Sequence, residues 1–220
     1  MAPASTPHIA HRTHTLDTTE VANTPENTGT AGLLLAAGGG RRLGGRPKAL
    51  LDHRGRPLVE HAVRVLREGG CARVYVVLGA AAEQVRARAR LDGCVTVDNP
   101  DWSEGMGTSL RTGLNSLATD TTCTTALVSL VDQPGIGPEA VARVLAARGT
   151  GLAAASYDGA RGHPVLFAAN RWAEVARTAV GDRGARAYLV EHAAELTLVE
   201  CGDVAEAYDI DLPGDLVHLK

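Results

Sequence analysis

The sequence has few aromatic residues, little net charge and no long apolar run, and each scarcity excludes a class of protein. Aromatic side chains make up 3% of the 220 residues, so Leu, Val and Ala must build the core. A formal net charge of -3 offers no basic surface for nucleic acid, and no apolar run approaches the roughly 20 residues of a membrane span. We therefore expect neither a nucleic-acid partner nor a membrane partner.

Cysteine is also scarce and widely spaced. None of the four cysteines forms a CxxC pair, which argues against a zinc site or a redox couple. Small buried apolar side chains in a reducing compartment are the simpler interpretation, and we expect a cytoplasmic protein. The four are Cys71, Cys94, Cys123 and Cys201.

The first 30 residues differ in composition from the rest. Residues 1–30 are rich in Thr, Pro, Ala and His and have no apolar period, so we predict a disordered tail. Asp17, Glu20 and Glu26 interrupt this segment, and it contains no continuous apolar stretch, so we do not expect a secretory signal there. The chain is 45% hydrophobic, which suits one α/β domain over residues 31–220.

A glycine-rich stretch over residues 31–51, AGLLLAAGGGRRLGGRPKALL, organises that domain. A short apolar run followed by glycines predicts a buried parallel strand that ends in exposed backbone N–H groups, a place for phosphate. Arg42 and Lys48 add positive charge close to those amides. A solvated β–α turn whose arginines only confer solubility is an equally good interpretation of the loop alone.

Two common phosphate-binding loops do not fit this stretch. The GxxxxGK[ST] loop is excluded because Ala49 follows Lys48, which leaves no hydroxyl to hold magnesium. The dinucleotide fingerprint GxGxxG is excluded because Leu43 stands in place of its third glycine.

Apolar periodicity then alternates between strands and helices. This order predicts parallel strands with right-handed crossovers. Strands are predicted over residues 73–79, 94–98, 125–131, 151–157, 163–168 and 195–200, and helices over residues 58–66, 80–91 and 108–117. A turn over residues 158–162, a helix that opens within residues 181–186 and runs to 191, and an extended segment over residues 208–213 are also predicted.

Acidic residues follow two of these segments. Asp132 ends the strand over residues 125–131, where a carboxylate faces the ligand crevice of an open α/β sheet. Asp209 and Asp211 share one face of an extended segment, and Asp211 can complete a magnesium site if it meets Asp132 across the crevice. A turn-forming aspartate and a simple strand end are the alternatives.

Three other segments carry weaker signals. The sequence NPDWSEGMGTSL over residues 99–110 is a glycine-framed loop that can hold a base or ribose, with loop packing of Trp102 an equal alternative. GDRGAR over residues 181–186 opens a helix and can hold an anion, or form a capped surface helix. His163 precedes Pro164 and is extended, as in many loops.

Six motifs in this order resemble the MobA-like nucleotidyltransferases, and most closely the molybdenum cofactor cytidylyltransferase branch. The resemblance runs from residue 31 to the end. The motifs are LAAGGGRRLGG with PK, NPDWSEGMGTSL, VDQP, GHPVLF, GDRGAR and DIDLPGDL.

The resemblance implies a Rossmann-like three-layer α/β domain of the nucleotidyltransferase (GT-A-like) kind with a mostly parallel sheet. It implies transfer of a nucleoside monophosphate, from CTP, to the phosphate of molybdopterin or the molybdenum cofactor, with release of pyrophosphate. Mg²⁺, or Mn²⁺ in its place, is the implied cofactor, and a molybdoenzyme client is a further implied partner.

The same resemblance assigns roles to residues. Arg42 and Lys48 match residues on the triphosphate, and Asp132 and Asp211 match the magnesium ligands; these four are the predicted catalytic residues. His163, Asp182 and Arg186 match the acceptor side of the family's site. The remaining predicted nucleotide contacts are Leu35, Ala36, Ala37, Gly38, Gly39, Gly40, Asn99 and Ser109.

The chain departs from the family pattern at a few positions. Gly40 stands where serine is common, the loop before Lys48 is one residue longer, and Leu212 and Gly214 replace a frequent Thr and Glu. Within the family LAAG accompanies CTP and LAGG accompanies GTP, so Ala37 favours cytidine. Transfer to another phosphorylated acceptor, such as a sugar phosphate, methylerythritol phosphate or a phospholactate-like acid, and a non-catalytic cofactor-delivery module remain alternatives.

Overall fold

The computed structural model describes Met1 and residues 29–220. The predicted tail lies outside that part of the chain, except at its last residues, where the first strand already includes Thr30. The strands are β1 (Thr30–Leu35), β2 (Asp52–His53), β3 (Arg56–Pro57), β4 (Arg73–Leu78), β5 (Cys94–Asp98), β6 (Thr125–Leu130), β7 (Leu152–Tyr157), β8 (Ala160–Ala168) and β9 (Thr197–Glu200). The α-helices are α1 (Leu58–Glu68), α2 (Ala82–Arg88), α3 (Met106–Leu117), α4 (Pro138–Ala146), α5 (Ala169–Thr178) and α6 (Arg186–Glu191).

Seven of the strands form one sheet, in the order β5-β4-β1-β6-β8-β7-β9. Neighbouring strands are parallel from β5 to β6 and again between β7 and β9, while β8 runs antiparallel to both of its neighbours. Strand β1 lies near the middle and is buried along its whole length, which explains its unbroken apolar sequence. No helix in the described residues is long and apolar enough to cross a membrane.

Helices cover both faces of the sheet. Alternate side chains of β1 point to opposite faces: Leu34 packs in the cluster that includes α1 and α4, whereas Leu33 and Leu35 pack in the cluster that includes α3 and α5. Pro138 at the start of α4 and Gly69 at the end of α1 mark helix boundaries where such residues are favoured. The layers are those of the predicted three-layer α/β fold with a mostly parallel sheet, and this prediction is confirmed.

Several predicted element boundaries are wrong. The turn occupies only Asp158 and Gly159, whose φ angles of 51° and 77° are left-handed, so β8 begins at Ala160. The helix predicted over residues 80–91 spans only Ala82–Arg88, and the last helix begins at Arg186 after a short 3₁₀ turn over Gly181–Arg183.

The sheet order places a crevice beside β1. From β1 the chain goes to β4 and β5 on one side, and then crosses to β6 on the other side. Where the strand order reverses, the loops after two neighbouring parallel strands separate and leave room for a ligand at their carboxyl ends. The loop after β1, which begins at Ala36, and the loop after β6, which begins at Val131, border this crevice.

Candidate active site

The loop after β1 curls tightly on itself. The Gly40 carbonyl accepts hydrogen bonds from the N–H groups of Leu43 and Gly45, at 2.9 and 3.0 Å. Gly40 has a left-handed φ of 60°, and a Cβ there would lie 1.9 Å from the Arg46 carbonyl oxygen. A side chain at residue 40 therefore does not fit, which accounts for glycine where the family commonly has serine.

Lys48 joins two distant acids at the base of the crevice. Its Nζ donates to Asp132 Oδ2 and to Asp211 Oδ1, each at 2.5 Å. Asp132 follows β6, and Ile210 N–H donates to the Asp132 carbonyl at 2.9 Å, which holds the C-terminal segment against it. Arg42 adds a weaker contact to Asp211 Oδ2, at 3.2 Å.

A cap on the C-terminal segment fixes Asp211. Asp215 Oδ2 accepts the backbone N–H groups of Asp211 and Leu212, at 2.9 and 2.7 Å. The segment over residues 208–213 is not part of any strand, so it is not the simple strand end that the sequence allowed as an alternative, and Ile210 is fully buried between the exposed Asp209 and the half-buried Asp211. Leu212 contributes only its backbone N–H to this contact. Leucine in place of the family's frequent threonine therefore leaves the contact intact.

The charges of this cluster depend on one another. Burial raises the pKa of the Asp132 carboxyl, and the neighbouring Lys48 ammonium opposes that shift. For Lys48 burial acts to lower the pKa, but Asp132 and Asp211 together outweigh it and raise the pKa. The lysine is therefore charged at neutral pH, and it neutralises carboxylates that burial would otherwise disfavour.

The crevice has a volume of about 540 Å³ and carries more negative than positive charge. Three cationic side chains line it, Arg41, Arg42 and Lys48, against five carboxylates. The carboxylates are Glu104, Asp132, Asp182, Asp209 and Asp211. A polyanion such as a triphosphate therefore needs added positive charge to bind here.

The residues fit a hard divalent cation of the kind that the resemblance implies. Asp132 and Asp211 offer carboxylate oxygens, the donors that Mg²⁺ and Mn²⁺ prefer, and Mg²⁺ commonly takes only one or two carboxylates together with substrate phosphates. Within the described residues no group of three His, Cys, Asp or Glu side chains is arranged to hold a metal by itself. Because Lys48 bonds both carboxylates, a cation that takes these oxygens has to displace its ammonium.

The other wall of the crevice is the segment over residues 99–109. Asn99 is 2% exposed, and its Nδ2 donates to Thr108 Oγ1 at 2.8 Å and to Ser109 Oγ at 3.0 Å. Asn99 Oδ1 also accepts the Asp101 N–H at 3.1 Å, so one side chain ties both ends of the loop together. Asn99 was expected at the nucleotide, but it lies beneath the wall and positions it.

The predicted acceptor residues do not form one group. Asp182 lines the crevice, whereas Arg186 is exposed at the start of α6 and His163 is half-buried on β8, and neither lines it. Burial lowers the pKa of His163 to about 4, and Asp209 opposes that shift, so His163 is neutral at pH 7. The expectation of acceptor contact at His163 and Arg186 therefore receives no support from their positions.

Most of the remaining predicted contacts lie on the crevice surface. Ala36 does not, because it is 1% exposed and faces the cluster around α1. Those that line the crevice are Leu35, Ala37, Gly38, Gly39, Gly40, Arg42, Lys48, Ser109, Asp132 and Asp211. Their binding roles stay predictions.

Asp209 and Trp102 are two of the lining residues that were not among the predicted contacts. Asp209 lies in the crevice, and Gln133 Nε2 donates to its Oδ1 at 2.8 Å. The alternation that places Asp209 on the same face as Asp211 was a sufficient signal for it. Trp102 also lines the crevice, and the sequence left its role open.

Comparisons with known proteins match this architecture. The model of the MobA-like NTP transferase domain family matches residues 32–196. A nicotine blue oxidoreductase of Paenarthrobacter nicotinovorans is 43% identical over 196 residues, which cover 86% of this chain and 95% of that protein. A molybdenum cofactor guanylyltransferase of Pseudomonas putida strain F1 is 57% identical over 35 residues, only 16% of this chain and 18% of that protein.

A solved structure resembles the whole domain. The Rv0371C protein of Mycobacterium tuberculosis H37Rv, in complex with manganese, has a TM-score of 0.73 at 28% identity. The match covers 87% of this chain and 98% of that one.

Proposed function

Because the chain belongs to the MobA-like NTP transferase domain family, we propose that it transfers a nucleoside monophosphate from a triphosphate to a phosphorylated acceptor. CTP is the proposed donor, molybdopterin or the molybdenum cofactor is the proposed acceptor, and pyrophosphate is released. The observation that carries this proposal is the contact of Lys48 with both Asp132 and Asp211 beside the glycine loop.

The two sides of the crevice suit a nucleoside triphosphate. The backbone of Gly38, Gly39 and Gly40 lies at the carboxyl end of β1, where N–H groups can hold phosphate oxygens. Lys48 and Arg42 supply positive charge at the same place. The surplus of carboxylates supports a requirement for Mg²⁺, with Mn²⁺ as a substitute.

The proposed reaction needs positioning and charge more than a general base. An acceptor phosphate oxygen attacks the α-phosphorus, a new P–O bond forms, and the bond to the β-phosphate breaks so that pyrophosphate leaves with the electron pair. The acceptor phosphate is already ionised at neutral pH, so no side chain has to remove a proton. Lys48, Arg42 and the loop amides stabilise the negative charge that grows on the leaving pyrophosphate. A divalent cation held by Asp132 and Asp211 would neutralise and align the phosphates.

The choice of donor and acceptor rests on the loop sequence and on similar proteins. Ala37 gives the LAAG form of the loop, which accompanies CTP in the family. One similar protein is named a molybdenum cofactor guanylyltransferase, and a similar structure contains manganese, which supports the acceptor class and the cation class. A molybdoenzyme that receives the product is the proposed client.

Pyrophosphate release tests the proposal. The protein is incubated with Mg²⁺, with CTP, GTP or ATP, and with the molybdenum cofactor, methylerythritol phosphate or a sugar phosphate. We expect CTP with the molybdenum cofactor to release pyrophosphate, and Asp132→Asn to abolish the release. Faster release with another phosphorylated acceptor would replace the acceptor assignment, and CTP binding without any release would favour a cofactor-delivery module.

A second candidate is an oxidoreductase, because the 43% identical relative is named for the reduction or oxidation of nicotine blue. The Lys48, Asp132 and Asp211 cluster favours the transferase, because it offers a cation for phosphate oxygens and carboxylates for a divalent ion. Incubation with nicotine blue and a reduced nicotinamide nucleotide separates the two candidates. Bleaching of the dye that survives Asp132→Asn, together with no pyrophosphate from any triphosphate, would favour the oxidoreductase.

A further inference from the structure

The loop after β6, which carries Asp132, is bonded to the C-terminal segment through its backbone. The Asp132 carbonyl accepts the Ile210 N–H at 2.9 Å, and the Gly135 carbonyl accepts the Glu206 N–H at 3.2 Å. Both donors belong to the segment that also carries Asp211. The loop and the segment therefore hold each other, and a shift of either one changes the distance between the two carboxylates.

A further bond to this loop comes from its other side, from α1. His61 Nε2 lies 3.3 Å from the carbonyl oxygen of Pro134, two residues after Asp132. Arg64 Nη2 lies 3.1 Å from His61 Nδ1. Because a guanidinium can only donate, Nδ1 accepts, and Nε2 carries the hydrogen that goes to the Pro134 carbonyl. Within the described residues this carbonyl has no second donor.

The ring of His61 has little freedom to turn away. It packs edge-on against His53, with the ring centroids 4.5 Å apart and the planes at 63°. His53 is 7% exposed on β2, and the next residue, Arg54, donates its N–H to the Leu219 carbonyl at 3.4 Å, near the end of the C-terminal segment. Burial lowers the pKa of His61 to about 4, so the ring is neutral at pH 7 and keeps one tautomer.

We propose that His61 is a positioning residue that holds the loop after β6, through the Pro134 carbonyl, so that Asp132 and Asp211 converge on a divalent cation. The inference rests on the proposed function only in taking these two carboxylates as the cation ligands. His61 does not line the crevice, so it acts on the geometry of the ligands and not on the substrate. Hydrogen-bonding groups behind metal ligands commonly determine metal affinity.

Two substitutions separate the hydrogen bond from the packing. His61→Leu keeps most of the bulk of the side chain and removes the donor, whereas His61→Gln places an amide nitrogen close to the position of Nε2 and keeps the donor. Electron paramagnetic resonance of free Mn²⁺, without nucleotide, gives the metal affinity. We expect the Kd for Mn²⁺ to rise about tenfold in His61→Leu and to stay within about twofold of the original in His61→Gln.

His192→Leu is the matched control. His192 is also half-buried, its Nδ1 lies 3.0 Å from the Tyr188 carbonyl, and its ring stacks on Tyr188 with centroids 4.0 Å apart. It follows α6 and does not line the crevice, so its loss should lower thermal stability and leave the Kd for Mn²⁺ unchanged. Circular dichroism shows which variants are folded. If His61→Leu does not fold, His61→Asn takes its place, because asparagine is one methylene too short to reach Pro134.

The outcomes separate this inference from the proposed function. An unchanged Kd for Mn²⁺ in the donor-free variant, or an equal rise in His61→Gln or in His192→Leu, would overturn the role of His61. If pyrophosphate is still released in that case, the proposed function stands. If the Kd rises as expected but no triphosphate ever yields pyrophosphate, the role of His61 stands and the proposed function fails. If the unaltered protein binds no Mn²⁺, the role of His61 fails.

Discussion

Replacement of Lys48 by methionine should lower turnover and raise the affinity for Mn²⁺. The stem of the side chain is kept and the ammonium is lost, so Asp132 and Asp211 lose the nitrogen that each contacts at 2.5 Å. Turnover should fall by about two to three orders of magnitude, as for the loss of one preorganised donor to a developing charge. The affinity for Mn²⁺ without nucleotide should rise, because the ammonium and the cation compete for the same oxygens.

The size of the gain in Mn²⁺ affinity follows from the competition between the Lys48 ammonium and the cation. A coupling of about 1–3 kcal/mol between two ligands changes affinity roughly 5–150-fold, and a contact as close as this one belongs in that range. The Lys48 and Asp132 side chains are only 14% and 18% exposed, so solvent screens the competition little. The metal-free variant should also unfold more easily, since Asp132 is left without its cation, and Mn²⁺ should restore part of that stability.

Two assays on the same preparation measure these effects. Electron paramagnetic resonance of free Mn²⁺ gives the metal affinity, and pyrophosphate release gives turnover. Arg88→Met, which removes an exposed cation of α2 that does not line the crevice, is the matched control and should change neither by more than twofold. Unchanged or weaker Mn²⁺ binding in Lys48→Met would refute the idea that lysine and cation share one place.

Three other changes have expected outcomes. Asp132→Asn should reduce pyrophosphate release more than Lys48→Met does, because it removes a proposed cation ligand, and circular dichroism should confirm that the fold is kept. Gly40→Ala should lower the free energy of unfolding in urea by more than Gly44→Ala: both residues have a left-handed φ, which costs alanine about 1–2 kcal/mol, but only at Gly40 would the Cβ meet a carbonyl oxygen. An equal loss in the two variants would contradict the packing argument. Thermal stability should fall as the pH drops from 6.5 toward 4, because burial lowers the pKa of His61 from 6.5 to about 4, so the unfolded chain takes up a proton in that window that the folded chain does not. His61→Gln should make the decline shallower, and an unaltered slope would contradict the assignment.

The first half of the fold was predictable from local pattern. Strand β1 is buried on both faces, so its sequence is an unbroken apolar run, and the glycines after it mark the turn.

The two-residue turn at Asp158 and Gly159 was also predictable, because Asp-Gly is a preferred pair for a hairpin whose two central residues have positive φ. The longer turn that was expected also included Ala160, Arg161 and Gly162, which belong to β8.

The C-terminal segment was harder to predict because packing and not pairing determines its conformation. Ile210 is fully buried and its N–H bonds the Asp132 carbonyl, yet the segment belongs to no strand. One buried residue between more exposed neighbours is also found in strands, so this pattern alone does not distinguish a strand from a packed loop. Pro213 begins the final 3₁₀ helix directly afterwards.

The meeting of Asp132 and Asp211 was not derivable from spacing. The resemblance predicted that they cooperate, and the fold brings both to the nitrogen of Lys48. The nucleotide contact predicted at Asn99 stays a prediction for a related reason: a polar residue in a loop motif can serve the ligand or the loop, and the contacts to Thr108 and Ser109 show the second role.

Transfer of label from CTP tests the central claim most directly. With Mg²⁺ and the molybdenum cofactor present, phosphorus label in the α-position of CTP should appear in the acceptor product, and label in the γ-position should appear in pyrophosphate. Label from the α-position that remains in CTP with every phosphorylated acceptor, or that appears only as free CMP, would contradict nucleotidyl transfer by this crevice.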